Sequence, residues 1–251
     1  MRPLIPTKMR LDVYLVENGL TLSRTEAKGY ITSGAVTVDG RVITKPAYDV
    51  TDAKVSVDTS SKKYVSRGGL KLEGALDNFG LSPEGKSAID VGASSGGFTD
   101  CLLQRGARHV VAIDSGSGQL VEALRCDARV TVVENFNARN LSPEDIEYIP
   151  DFAVMDVSFI SATLIIPRIY ECLADNGDFV CLVKPQFEVG KSGLGKGGIV
   201  KSASLRENAL ARVCDFARDT GFSVLGTMLS PIEGGDGNIE YLVHFKKGET
   251  K

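Results

Sequence analysis

The chain has 251 residues, 43% hydrophobic and 24% charged, with 27 Gly, no Trp and a formal net charge of −3. That length supports one large domain, or a small one beside a medium one, and the composition excludes a disordered tail, a collagen-like repeat and a disulfide scaffold. Five widely spaced cysteines (Cys101, Cys126, Cys172, Cys181, Cys214) without a C-x-x-C pair read as reduced thiols of a cytoplasmic protein. The two histidines, His109 and His244, each sit in an apolar strand-like run, which argues against a zinc site. The opening MRPLIPTKMRLDVYL lacks the continuous apolar core of a secretion signal, and no apolar run approaches the ~18 residues of a membrane-spanning helix.

Near-neutrality conceals a division. Residues 1–71 hold 12 Lys/Arg and 7 Asp/Glu, or +5, whereas residues 72–251 hold 17 and 25, or −8. A small basic domain joined to a larger acidic one points to nucleic acid at the basic end. In chain order, RLDVYLVENGL places Leu11, Leu15 and Val16 on one helical face, with Gly19 ending the helix. A second helix follows in SRTEAKGYITSG, opened by the Ser23/Glu26 capping-box spacing and closed near Gly34. AVTVDGRVI then alternates around Asp39-Gly40, a strong hairpin signal. Arg24 and Lys28, four apart, share a helical face, and with Arg10 and Arg41 they are the candidates for gripping phosphates.

These residues resemble the S4-type RNA-binding module over roughly Met9 to Asp58: helix, cap, basic pair and hairpin occur in its order. The resemblance implies a second helix that docks on structured RNA through backbone contacts. The expected organisation is an RNA-binding domain over 1–60, a linker over 61–70 and a second domain over 71–251. Within SSKKYVSRGGLKLEGAL, Arg67 is a further RNA candidate, Gly68-Gly69 suit a linker or hinge, and Leu70, Leu72, Leu76 and Phe79 open an amphipathic helix.

From Lys86 onward strands alternate with helices, which predicts an α/β, doubly wound, Rossmann-like sheet, mainly parallel; the last two strands, joined only by PIEGGDG, suggest an antiparallel hairpin. The informative loop is DVGASSGGFTD, where Gly92, Ala93, Ser94, Gly96 and Gly97 follow a strand and open a helix at Phe98. It is neither G-x-G-x-x-G nor a Walker loop. Asp114, ending the second strand, is placed to bind the hydroxyls of a ribose, which fits either NAD or S-adenosylmethionine. Three features favour the latter: Asp90 before the glycines suits an ammonium, the acidic domain suits a sulfonium, and the terminal hairpin suits a seven-stranded methyltransferase sheet. Asn137, after the third strand, is a candidate neighbour of the adenosine.

With the RGGLKLEGAL join, DVGASSGGFTD, DVSFIS and LVKPQFEVG, the chain resembles the TlyA family, with FtsJ-type ribose methyltransferases as wider kin. The loop departs from those kin in one respect, reading Ser94-Ser95-Gly96-Gly97 where they have A-P-G-G. The resemblance implies a 2′-O-methyltransferase of ribosomal RNA, acting on a cytidine, and it carries a haemolysin label. It also implies a Lys-Asp-Lys-Glu catalytic set, matched here by Lys71, Asp156, Lys184 and Glu240. The thioether leaving group is neutral, so the expected transfer needs no metal. Lys184 is the candidate base, with burial beside Lys71 favouring its neutral form and the two carboxylates opposing it. Alternatively, the set mainly holds the hydroxyl in place. The Gly-rich segment 185–200 carries Lys191 and Lys196, candidates for closing over RNA phosphates. A non-enzymatic RNA-binding or assembly factor and a pore-forming haemolysin are the competing functions; the sequence offers the latter no membrane-type helix.

Overall fold

The computed structural model describes residues 8–21, 23–32, 34–51, 53–58, 63–234 and 237–248, except the side chain of Lys191. The chain divides into two compact units, Met1–Lys63 and Tyr64–Lys251.

In the first unit, strand β1 (Met9–Arg10) leads into helices α1 (Leu11–Glu17) and α2 (Arg24–Thr32). Short strands β2 (Val36–Val38), β3 (Arg41–Val42), β4 (Asp49–Val50) and β5 (Val55–Val57) follow. Strands β3-β2-β5 form an antiparallel sheet, and β1 pairs with β4. Asp39 and Gly40 both adopt positive φ (49° and 77°), which matches the twist of a two-residue hairpin turn. Ser23 caps α2 by accepting from the Glu26 amide at 3.2 Å, and Leu11, Leu15, Ala27 and Ile31 are fully buried between the helices and strands.

The second unit begins seven residues before the sequence-based domain start. Tyr64 is buried, the Val65 amide donates to Asp100 at 2.7 Å, and helix α3 (Gly68–Phe79) already starts at the first glycine. Gly68-Gly69 therefore open a helix of this unit rather than a free linker, and Gly69 serves close packing: a Cβ there would enter the Tyr64 ring. The part of the expected linker at 61–62 lies outside the described residues. With the boundary after Lys63, Arg67 and Lys71 move to the larger unit, and the formal charges become +3 (10 basic, 7 acidic) and −6 (19 basic, 25 acidic).

The larger unit continues as β6 (Ser87–Val91), α4 (Gly97–Gln104), β7 (His109–Ile113), α5 (Glu122–Arg125), β8 (Val130–Val133), β9 (Phe152–Met155) and α6 (Ile166–Cys172). It ends with β10 (Asp178–Val183), α7 (Pro185–Glu188), α8 (Ala203–Thr220), β11 (Phe222–Leu229) and β12 (Tyr241–Lys247). The seven strands run in the order β11-β12-β10-β9-β6-β7-β8, parallel except that β12 is antiparallel to both neighbours. Central strands β6, β9 and β10 are buried along their whole length, as expected where helices cover both faces. Two apolar layers result, one around Ile89, Met155 and Phe179, the other around Leu72, Leu102 and Val154. All five cysteines are free thiols, and only Cys126 is exposed.

Candidate active site

Parallel pairing places Val91 level with both Ile113 and Met155, and Met155 level with Cys181. The residues that follow these strands, Gly92, Asp114, Asp156 and Lys184, consequently emerge along one edge, where α/β sheets hold ligands. Gly92 has φ +88°, and a Cβ there would collide with the Asp156 carbonyl oxygen, so its lack of a side chain lets the first and fourth strand exits meet.

At that edge a cavity of about 270 Å³ is lined by Lys71, Ser94, Phe98, Asp156, Ser158 and Lys184, among others. Two ion pairs meet there. Lys184 Nζ lies 2.5 Å from Asp156 Oδ1 and donates to Ser158 Oγ at 2.9 Å. Lys71, brought in by α3, donates to Glu240 Oε2 at 2.5 Å, and both side chains are nearly buried (11% and 3% exposed). Of the two opposing influences weighed from the sequence, the contacts show the carboxylates: each lysine has its own. Glu240 itself precedes β12 by one residue rather than lying within it.

A second, larger cleft of about 560 Å³ shares Gly92, Ser94, Asp156 and Ser158 with the first, so the two adjoin. Asp114 lines it. Its carboxylate accepts from the Ser94 amide at 2.8 Å and the Gly116 amide at 2.7 Å, each oxygen retaining a lone pair. Asn137 also lines it and accepts from the Arg139 amide at 3.1 Å.

Of the remaining loop candidates, Ala93, Gly97 and Phe98 line the smaller cavity, Phe98 while otherwise buried as a core residue. Gly97 lies against Gly68 and Gly69, where a Cβ would strike Ser66. Two differ from expectation. Gly96 lines neither cavity; a Cβ there would strike Leu124, so its role is packing. Asp90 is fully buried beneath the loop, where Thr99 donates to its Oδ2 at 2.6 Å and Oδ1 has no hydrogen-bond partner. Burial pushes its carboxyl up to about 7.

Several residues of the site escaped the sequence reading. Ser158 sits in the DVSFIS segment, but nothing in its type marks it as a partner of Lys184. Phe159 is 92% exposed at the rim of the larger cleft, with φ +65°, an uncommon conformation for a bulky residue, and its ring lies 5.2 Å from that of Phe187. Glu188 joins the two strand exits by accepting from Ser161 Oγ (2.7 Å) and the Ala162 amide (2.8 Å). Segment 185–200 is accordingly not an open loop: α7 and two 3-10 turns, Lys191–Gly193 and Lys196–Gly198, shape it. Lys196 is exposed and lines neither cavity, Arg67 is exposed at the smaller one, and the Lys191 side chain lies outside the description.

In the first unit, Arg10 and Arg24 are brought together on the carboxylate of Asp12, while Lys28 and Arg41 are exposed on α2 and β3. Among the described residues no cluster of His, Cys, Asp and Glu could hold a metal ion.

Residues 64–247 match the FtsJ-like methyltransferase family, and residues 9–55 match the S4 domain. The chain is 45% identical to the 16S/23S rRNA (cytidine-2′-O)-methyltransferase TlyA of Mycobacterium tuberculosis, covering 94% of this chain and 89% of that protein. It is also 45% identical to Hemolysin A of Brachyspira hyodysenteriae, covering 94% and 99%. A solved structure from Streptococcus thermophilus that carries a hemolysin name superposes with a TM-score of 0.78 at 46% identity, covering 98% of this chain and 90% of that one. An S4 domain followed by a methyltransferase sheet with its lysines and carboxylates at one edge thus places the chain in the FtsJ-like methyltransferase family, among the TlyA proteins.

Proposed function

We propose that the protein transfers a methyl group from S-adenosylmethionine to a ribose 2′-hydroxyl of ribosomal RNA, at a cytidine as in the name of the Mycobacterium tuberculosis relative. The observation that carries this reading is the pairing Lys184–Asp156 and Lys71–Glu240 at a cavity that adjoins the larger cleft.

The cleft fits the cofactor. Its volume lies in the usual range for small-molecule sites, about 300–1,000 Å³. Asp114 keeps acceptor capacity for ribose hydroxyls, and Gly92 and Gly97 leave backbone where a Cβ could not stand. When bound, S-adenosylmethionine supplies an electrophilic methyl on a sulfonium. Lys184 Nζ is held 2.5 Å from Asp156 Oδ1 and donates to Ser158 Oγ, and Lys184 lines the cavity that receives the substrate oxygen. As the free amine, Lys184 orients the 2′-hydroxyl and takes its proton as the oxygen attacks, becoming the ammonium that pairs with Asp156. Lys71, fixed by Glu240, adds positive potential at the oxygen as charge develops there. Exposed Arg67 at the cavity mouth suits an adjacent phosphate.

The test is transfer of labelled methyl to ribosomal RNA with the modified atom mapped. Wild-type protein marks a 2′-oxygen, and Lys184→Ala abolishes transfer while cofactor affinity stays near wild type. A mark on a base, or full activity in that variant, overturns the reading. The hemolysin names belong to the Brachyspira and Streptococcus relatives; among the described residues no helix is long and apolar enough to cross a membrane.

A further inference from the structure

Arg10 and Arg24 come from different elements, the first preceding α1 and the second opening α2, yet both end on one carboxylate. Arg10 donates through Nε to Asp12 Oδ1 at 2.9 Å and through Nη2 to Oδ2 at 3.2 Å. Arg24 donates through Nη2 to the same Oδ2 at 2.8 Å. Asp12 is fully buried, whereas the two arginine side chains are 49% and 56% exposed. Hydrogen bonds from Arg10, with Arg24 adding to them, hold the Asp12 carboxyl down at about 2 despite its burial.

A buried carboxylate bridging two half-exposed guanidiniums is a poor device for stability alone, since desolvating the carboxylate costs much of what the pairing returns. It is a good device for orientation. Asp12 takes three of the N–H donors of the two forks, and the rest belong to side chains that stay about half exposed. Free arginine side chains would have to be ordered on binding; these are ordered beforehand. The three groups together carry +1, which one phosphodiester neutralises.

We infer that Asp12 is a positioning residue that locks Arg10 and Arg24 into a two-guanidinium clamp for a single backbone phosphate of the RNA. The inference rests on the reading of the protein as an rRNA methyltransferase and deepens it at the docking unit. It assigns Asp12 a role opposite in sign to its charge: an acidic residue in a phosphate-binding surface strengthens binding.

That sign is the test. Full-length protein is titrated against end-labelled 16S and 23S rRNA transcripts over a range of salt concentrations, with thermal unfolding and cofactor affinity measured in parallel. Asp12→Asn, close in shape, removes one negative charge and two-sided anchoring. The expected result is a threefold to tenfold weaker affinity and a log–log salt slope shallower by about one, the signature of a lost phosphate contact. Glu17→Gln makes the same charge change at an exposed site of the same unit and leaves affinity equal or higher. Tighter or unchanged binding by folded Asp12→Asn overturns the inference. Should that variant unfold the unit, Arg10→Gln and Arg24→Gln decide: a clamp makes the double variant barely weaker than either single, and independent losses that multiply overturn it. If neither arginine variant changes the affinity of a wild-type protein that binds RNA, the inference falls and the enzymatic reading stands. If wild type binds neither transcript, both fall.

Discussion

The Lys71–Glu240 pair separates what the site does for stability from what it does for chemistry. Glu240→Gln keeps the shape of the side chain but leaves the Lys71 ammonium nearly buried without its counter-charge. Removing one partner of a buried ion pair costs about 3–5 kcal/mol. The residual exposure of Lys71 puts the expected loss at the lower end, about 3 kcal/mol. For a unit of this size each kcal/mol moves the midpoint by about 2–4 °C, so a fall of roughly 6–12 °C is expected. Replacing both partners by apolar residues, Lys71→Met with Glu240→Leu, removes the desolvation cost along with the pair and restores most of that loss. The assay is scanning calorimetry on the three proteins beside methyl transfer to ribosomal RNA. The double variant should unfold near wild type and transfer no methyl group. Were it as unstable as Glu240→Gln alone, the pair would be a structural strut and its assignment to the chemistry would lose its basis.

Three further outcomes follow from particular contacts. Ser158→Ala removes an acceptor from Lys184; a hydrogen bond to a charged group is worth about 1.5 kcal/mol at the low end, or roughly tenfold in rate. Single-turnover transfer should slow by about that factor with cofactor affinity unchanged, and an unaltered rate would remove Ser158 from the site. Gly69→Ala pushes a methyl into the Tyr64 ring, an overpacking worth about 1–3 kcal/mol, measurable as a lowered midpoint in urea; an unchanged midpoint would contradict the close contact. Asp90 has a folded-state pKa raised to about 7, so between its unfolded value near 4 and about 7 the native state binds the extra proton and stability falls as pH rises. Asp90→Asn should therefore unfold at a higher temperature than wild type at pH 8 and show a smaller advantage at pH 5. An advantage independent of pH would mean that the carboxyl is not held protonated by burial.

Much of the fold is written locally. The alternation around Asp39-Gly40, the cap at Ser23, and apolar runs such as Phe179 to Val183 depend on neighbours within a few residues, and each forms the expected element. The candidate lysines and carboxylates are legible as a set only because their motifs resemble a family; by type alone, a Lys or Asp after a strand says little. What the sequence could not fix is which groups end up facing each other. Lys71 and Glu240 are 169 residues apart, and only the placement of α3 beside β12 turns them into a pair. Arg10 and Arg24 read as two surface cations until burial of Asp12 between them joins them. Gly68-Gly69 read as a flexible join because glycine permits many conformations, whereas the fold uses the missing side chain of Gly69 to admit Tyr64. Local pattern decides backbone conformation, because its forces act within a turn or a strand pair. Long-range packing decides burial and partners, and with them which charges neutralise, orient or expose one another.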